Sequence, residues 1–361
     1  MAASPELIDK CVHCGFCLPA CPTYVLGGNE ADSPRGRIYL MKLQVDGAAQ
    51  VDRDWVRHFD SCLGCVSCMS ACPSGVPYGQ LIEATRSHIE SNYSRSLFDR
   101  LFRQSLFALF PRIDRLGKLR TFLGLYQKSG LQALLRATGL LRILPARLRA
   151  MEGLAPKLAD AYIAPSATPA VGKKRKKVAV MLGCVQREFL GDINAATIRV
   201  LAAEGCEVLA PVEQGCCGAL LVHAGEEARA VELAMKVIDT FEPLGVDAII
   251  TNAGGCGSNV KEYDHLLRNT PYAARAKAFV AKCRDITEFL AEIGTVAQYK
   301  PIKARVAYHD SCHLQHAQKV RTQPRQLLRA IPGMEVVDVP EAPLCCGSAG
   351  IYNLVQPSTA N

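Results

Sequence analysis

Two stretches decide how this chain is read. Residues 11–22 run Cys11-Val12-His13-Cys14-Gly15-Phe16-Cys17-Leu18-Pro19-Ala20-Cys21-Pro22. Residues 62–73 run Cys62-Leu63-Gly64-Cys65-Val66-Ser67-Cys68-Met69-Ser70-Ala71-Cys72-Pro73. Both follow C-x2-C-x2-C-x3-C-P, the spacing that builds cubane iron–sulfur sites. Three thiolates two residues apart wrap three irons of one cube, and the fourth, beside proline, points to the other cube. The expected ligand sets are therefore crossed: Cys11, Cys14, Cys17 and Cys72 for cluster 1, and Cys62, Cys65, Cys68 and Cys21 for cluster 2. A zinc site takes four ligands, usually as paired C-x2-C units, and has no use for eight cysteines with two C-P ends.

Working outward, Ser33-Pro34-Arg35-Gly36-Arg37 opens a helix between the runs, with Ser33 as cap and Pro34 in the first turn. Arg35 and Arg37 either face a cluster or partner, or are a solvated first turn. Trp55 and His58 fall on a further helix and are expected to pack in its core. The spacing leaves room for helices around the cluster loops, so residues 1–92 are predicted to form a mainly helical two-cluster ferredoxin domain.

Residues 93–176 read as a basic amphipathic helical connector and linker. Net charge is +8, yet residues 95–150 alone hold twelve Arg/Lys against two Asp. The remainder is close to neutral, which argues against a nucleic-acid binder. Leu97, Phe98, Leu101, Phe102, Leu106 and Phe110 recur at helical spacing, and Pro111 ends that helix. Such a face either packs on another domain or lies on an anionic membrane surface, with Arg100, Arg103, Arg112 and Arg115 providing attachment. No stretch reaches the length of a membrane-spanning helix.

Beyond the Pro-rich linker the texture changes. Val178–Leu182 is a continuous apolar run, read as a buried parallel strand. Helix 191–203, strand 206–210, helix 219–241 and strand 247–252 follow. The pattern restarts at Ala304–Tyr308, with helix 322–330 and strand 334–339. This alternation predicts α/β layers. Cys184 precedes Cys216-Cys217-Gly218 by 32 positions, and Cys312 precedes Cys345-Cys346-Gly347 by 33, so one design occurs twice. Residues 177–300 form the first module and 301–361 the second. In each, cysteines sit at carboxyl ends of strands, where open α/β sheets place ligands. The first module reaches Cys256 39 positions after Cys217, whereas the second has only fifteen residues after Cys346. The second module thus reads as cut short, and the natural chain is expected to continue for about half a module, by the repeat argument. Its site is expected to hold at most Cys312, Cys345 and Cys346, with a frayed end over 350–361.

Seventeen cysteines with no apolar export segment at the start indicate a reducing cytosol, where clustered thiols mean metal or redox work. Cys206 and Cys283 belong to neither pattern and read as core or surface thiols. His309, His313 and His316 flank Cys312, as neighbours or iron ligands.

At Cys184, Cys216-Cys217-Gly218, Cys312 and Cys345-Cys346-Gly347 the chain resembles the cysteine-rich CCG domains of heterodisulfide reductase and respiratory dehydrogenases. A two-cluster ferredoxin followed by two CCG modules resembles the iron–sulfur subunits of the glycolate oxidase family, with those of glycerol-3-phosphate dehydrogenase and lactate utilisation as relatives. The stretches Ser33–Lys42 and Cys345–Asn353 favour the first. The resemblance implies an α+β multidomain fold with two [4Fe-4S] clusters and an additional cluster in a CCG module held by Cys184, Cys216, Cys217, Cys256, Cys312, Cys345 or Cys346. It implies a flavoprotein partner that oxidises the hydroxy acid, electron transfer towards quinone, and a cytoplasmic place on the inner face of the membrane. The chain lacks G-x-G-x-x-G after a strand, so flavin belongs to the partner. Ala253 stands where full CCG motifs carry a cysteine, which sets this chain apart. Two other functions fit parts of the pattern: a thiol–disulfide reductase and a zinc-stabilised binding module.

Overall fold

The computed structural model describes residues 3–340, 342, 344–347 and 350–356. The first ninety or so residues are helical, with no strand among the described ones. Helix Pro34–Val45 starts where the sequence places it, Ser33 Oγ accepting from the Gly36 amide. Helices Arg53–Asp60 and Tyr78–Asn92 pack against it around Ile38, Met41, Trp55, Phe59, Leu81 and Ile89. Trp55 is buried as expected. His58 is not a core residue: its Nδ1 lies 2.8 Å from Asp32 Oδ1.

The first α/β module is built on β1 (Ala167–Thr168), β2 (Lys176–Val180), β3 (Cys206–Leu209), β4 (Ala248–Thr251) and β5 (Cys283–Asp285), in the order β1-β3-β2-β4-β5. All neighbours are parallel except the β1–β3 pair. Residues of β2 alternate between two cores. Val178 and Val180 face Ile198, Leu201 and Phe289, while Ala179 faces Val237, Phe241, Tyr263 and Phe279. Helices thus cover both faces, the arrangement that lets central strands be continuously apolar. Cys206 and Cys283 lie in these cores. Strands β1 and β5 are absent from the sequence reading, being two and three residues long.

The predicted helix 219–241 is two helices, Ala219–Ala224 and Glu227–Phe241. The break is Gly225, at φ +85°, where a Cβ would stand 2.5 Å from the Arg86 carbonyl oxygen. Only glycine lets the backbones of the two domains meet there.

The second module contributes the parallel pair β6 (Ala304–Tyr308) and β7 (Met334–Asp338) with helix Gln323–Arg329. Asp310, buried, receives Arg325 at 2.9 and 2.7 Å. Leu327 packs onto the core of the first module. The expected frayed end does not hold for Tyr352–Val355, a helix with Tyr352 and Leu354 buried and Tyr352 donating to the Ser61 carbonyl at 2.8 Å; its last residues, 357–361, lie outside the described residues.

The connector packs only part of its apolar side inward, with Leu106 and Phe107 meeting Leu221, Val222, Ala230 and Leu354. Arg103 is not a wet attachment residue. It binds Glu90 at 2.8 Å and the Ala224 carbonyl at 3.0 Å. Arg95 pairs with both Asp60 and Glu90.

Where the ferredoxin domain meets the first module, the Glu262 carboxyl is pushed up to about 7 by burial, with Glu83 and Asp264 adding. His223 Nδ1 lies 3.2 Å from Glu83 on the same boundary. The folded state binds the extra proton between the usual 4.5 and about 7, so stability is lost as pH rises through that window. Glu262→Gln should match the wild type near pH 4.5. It should exceed the wild type by on the order of 2 kcal/mol above neutrality, read from unfolding curves at the two pH values.

Candidate iron–sulfur centres

The two cysteine runs fold into loops of one shape. In the first, His13 (φ 53°) and Gly15 (φ 86°) flank Cys14; in the second, Gly64 (φ 66°) and Val66 (φ 52°) flank Cys65. A left-handed residue on each side of the central cysteine curls both loops around their thiols. For Val66 that conformation is costly, of order 1–2 kcal/mol, and the loop holds it nonetheless.

Cys11, Cys14, Cys17 and Cys72 line one hollow, together with Cys68, Ile38 and Tyr78. Burial raises the Cys17 thiol, and Cys11 and Cys72 raise it further through their charges. Cys14 is exposed, beside exposed Val12 and Phe16. Cys21, Cys62 and Cys68 are buried. Burial pushes Cys68 well up, with Cys62 and Cys21 contributing next. Burial would also raise Cys62, but Arg37 and Arg86 overcome it and hold that thiol below its usual range. Cys72 thus shares the hollow of the first run, where Cys68 also lies, and the charge of Cys21 reaches Cys68. Cys65 senses Cys62 yet shares a hydrogen bond with Cys345 of the second CCG module.

Arg37, whose place the sequence reading left open, is buried. Its side chain is 1% exposed. Nε donates to the His58 carbonyl at 2.6 Å, and Nη2 to Thr23 Oγ1 and Ser61 Oγ at 3.1 and 2.9 Å. Nη1 lies 3.9 Å from Cys21 Sγ. Arg35 instead stays near the surface, forked on Glu30 with Nη1 on the His13 carbonyl.

In the first α/β module Cys184 Sγ lies 3.5 Å from Cys216 Sγ. Cys216 shares a hydrogen bond with Cys217, and Cys217 with Cys256. Four sulfurs thus run in a chain at the carboxyl ends of the strands, all partly or fully buried. The contact with Cys216, then burial, raises Cys184; the contact with Cys216 lowers Cys217, but the Cys256 contact and burial overcome it and push that thiol well up. A metal bound there would displace these thiol protons.

The second module brings Cys312, Cys345 and Cys346 to a cavity of about 770 Å³, which Cys62, Cys65 and Cys256 also line. Hydrogen bonds from Cys312 and Cys65 hold the Cys345 thiol below its usual range. Three thiols were expected here; a fourth, Cys65, arrives from the ferredoxin domain. Of the histidines, His309 and His313 line the cavity. His313 Nε2 lies 3.0 Å from the Gly64 carbonyl, and His316 Nδ1 2.8 Å from Ser70 Oγ, so both dock this module on the second cysteine loop.

The donor chemistry, eight thiols around two adjoining sites in two curled loops, fits a pair of iron–sulfur cubes. Residues 7–76 match the 4Fe-4S dicluster domain, and residues 178–261 and 306–361 match the cysteine-rich domain. Residues 98–155 match the linker region of the glycolate oxidase iron–sulfur subunit. The probable glycolate oxidase iron–sulfur subunit of Bacillus subtilis is 45% identical over 359 residues, covering 97% of this chain and 81% of that protein.

The chain belongs to the glycolate oxidase iron–sulfur subunit family.

The Escherichia coli member of this family is 34% identical over 365 residues, covering 98% of this chain and 83% of its own. Lactate utilization protein A of Geobacillus kaustophilus is 31% identical over 180 residues, covering 49% of this chain and 74% of its own. As a member of the glycolate oxidase iron–sulfur subunit family, the chain carries a dicluster domain with two [4Fe-4S] clusters and two cysteine-rich domains. No helix among the described residues is long and apolar enough to cross a membrane.

Proposed function

We propose that this protein is the electron-transfer subunit of a glycolate-oxidising dehydrogenase, accepting electrons from a flavoprotein subunit and passing them towards quinone. One observation carries the reading. Thiols run from exposed Cys14, through the buried dicluster core, to Cys65 beside Cys345. In this reading Cys11, Cys14, Cys17 and Cys72 hold cluster 1, and Cys62, Cys65, Cys68 and Cys21 hold cluster 2. Cubane clusters supply one-electron carriage. The chain's own residues curl around them, exclude water from Cys21, Cys62 and Cys68, and keep a cation against the second site. Cys184, Cys216, Cys217 and Cys256 are proposed to hold an additional iron–sulfur centre. The test is anaerobic mixing of the full chain with its flavoprotein and glycolate. Bleaching of the visible iron–sulfur absorption supports the reading; unbleached clusters beside a reduced flavin defeat it.

A thiol–disulfide reductase is the second reading, favoured by the chain of four sulfurs in the first module. Turnover of a disulfide without any flavoprotein would select it.

Attachment is proposed to lie in the connector, on an anionic membrane surface on the cytoplasmic side. Phe98, Leu101, Phe122 and Ile143 are exposed there at 66, 62, 69 and 80%, and Arg100, Arg112 and Arg115 are exposed among them. Each basic residue near such a surface contributes about 1 kcal/mol. Replacing these three arginines by Gln should weaken binding to anionic vesicles on the order of 100-fold, with iron content unchanged. High salt should release the wild type. Attachment insensitive to both would place the binding on the apolar residues alone.

A further inference from the structure

We infer that Arg37 is a positioning residue that sets the reduction potential of cluster 2 above that of cluster 1. The inference rests on the ligand sets proposed above.

A guanidinium this deeply buried is costly unless anions surround it. Its hydrogen bonds go to neutral oxygens: the His58 carbonyl, Thr23 and Ser61. Asp32 is the nearest carboxylate, 3.7 Å away and 19% exposed. That carboxylate is shared, with His58 Nδ1 at 2.8 Å and Ser61 Oγ at 3.1 Å. Much of the positive charge is therefore left facing sulfur. Cys21 Sγ is 3.9 Å from Nη1.

Among the described residues the first site has no buried equivalent. Arg35 is 31% exposed and forked on its own carboxylate, Glu30, at 2.6 and 3.3 Å. A paired, solvated cation is screened; a buried one acts through a low dielectric. Added negative charge is therefore stabilised more at the second site than at the first. Arg86 reinforces the difference by donating to the Cys62 and Phe59 carbonyls. Electrons entering beside exposed Cys14 then find the lower-energy site inward, next to the cysteine-rich modules.

The test is a potentiometric titration of the full chain, purified anaerobically with its clusters and followed by electron paramagnetic resonance and iron analysis. In the wild type, the first signal to appear on reduction should be the one that survives in Cys14→Ser. Arg37→Gln should move that signal to lower potential and leave the other in place. Arg37→Lys should restore it, and Asp32→Asn should move it upward. An Arg37→Gln protein with full iron and an unmoved signal overturns the inference, as does an equal shift of both signals. A wild type whose first signal is the one lost in Cys14→Ser overturns it too. Should Arg37→Gln lose iron, the wild-type order and the Asp32→Asn shift still decide. A wrong ligand assignment shows separately, as Cys72→Ser removing the signal that Cys14→Ser retains.

Discussion

Cys72→Ser should empty or convert the same cluster as Cys14→Ser, although fifty-eight positions and a second cysteine run separate the two residues. Cys72 lines the hollow of Cys11, Cys14 and Cys17, and its charge raises the Cys17 thiol. Cys21 is drawn the opposite way, to Cys68 and the Arg37 guanidinium. The proline after each fourth cysteine opens a helical segment or turn that carries the chain away from its own loop. The expected result is loss of about half the iron and of one of two reduced-state resonance signals, the same one in both variants. Cys21→Ser should remove the other. A Cys72→Ser protein that loses the signal which Cys14→Ser retains would show that each run serves its own cube.

Gly36→Ala should cost about 3 kcal/mol, the largest loss of stability expected from adding one methyl group to this chain. A Cβ at position 36 would sit 1.9 Å from the Glu30 carbonyl oxygen and 3.1 Å from the Ala31 Cα. Both are backbone atoms of the short turn Glu30–Asp32, so neither can swing aside. Helix Pro34–Val45 would have to retreat from that turn. Arg37 would go with it, and its bonds to Thr23, Ser61 and His58 would be strained. Thermal unfolding, with iron release followed in parallel, reads both effects. The control is Gly153→Ala, in helix Ala146–Leu154, where nothing lies within 4 Å. There the gain of helix propensity should stabilise by about 0.5–1 kcal/mol. Equal melting of the two variants would mean that the turn yields where its geometry says it cannot.

Much of the first module was legible because its signals are local. The apolar run Val178–Leu182 overlaps the covered strand Lys176–Val180, helix Gly191–Ala203 falls where the pattern puts it, and so, in the second module, does strand Ala304–Tyr308. The helix break at Gly225 was not legible. Its cause is the Arg86 backbone, 139 residues away in sequence, and a lone glycine inside an apolar pattern is otherwise tolerated. Burial of Arg37 was equally hidden. Arginine in a first helical turn is normally solvated, and its acceptors come from three separate segments. The small residue beside it, Gly36, was the one available hint, since it allows the close approach. The meeting of Cys65 with Cys345 lies 280 positions apart along the chain. Spacing within a motif carries no information about contacts at that range.

Arg86 joins the domains in a way that bears on rate. One guanidinium donates to the Cys62 and Phe59 carbonyls on one side and to the His223 carbonyl, at 2.9 Å, on the other. The neighbouring backbone is pressed so close to Gly225 that no side chain fits between. The two bodies are pinned at a point beside the second cysteine loop, with little freedom to hinge apart there. Electron tunnelling falls off steeply with distance, so a boundary that breathes would gate every transfer by its own opening and closing. In the electron-transfer role proposed above, a clamped boundary would remove that gate: the gap between donor and acceptor would be a constant of the fold, and throughput would be left to the driving force and to the arrival of partners.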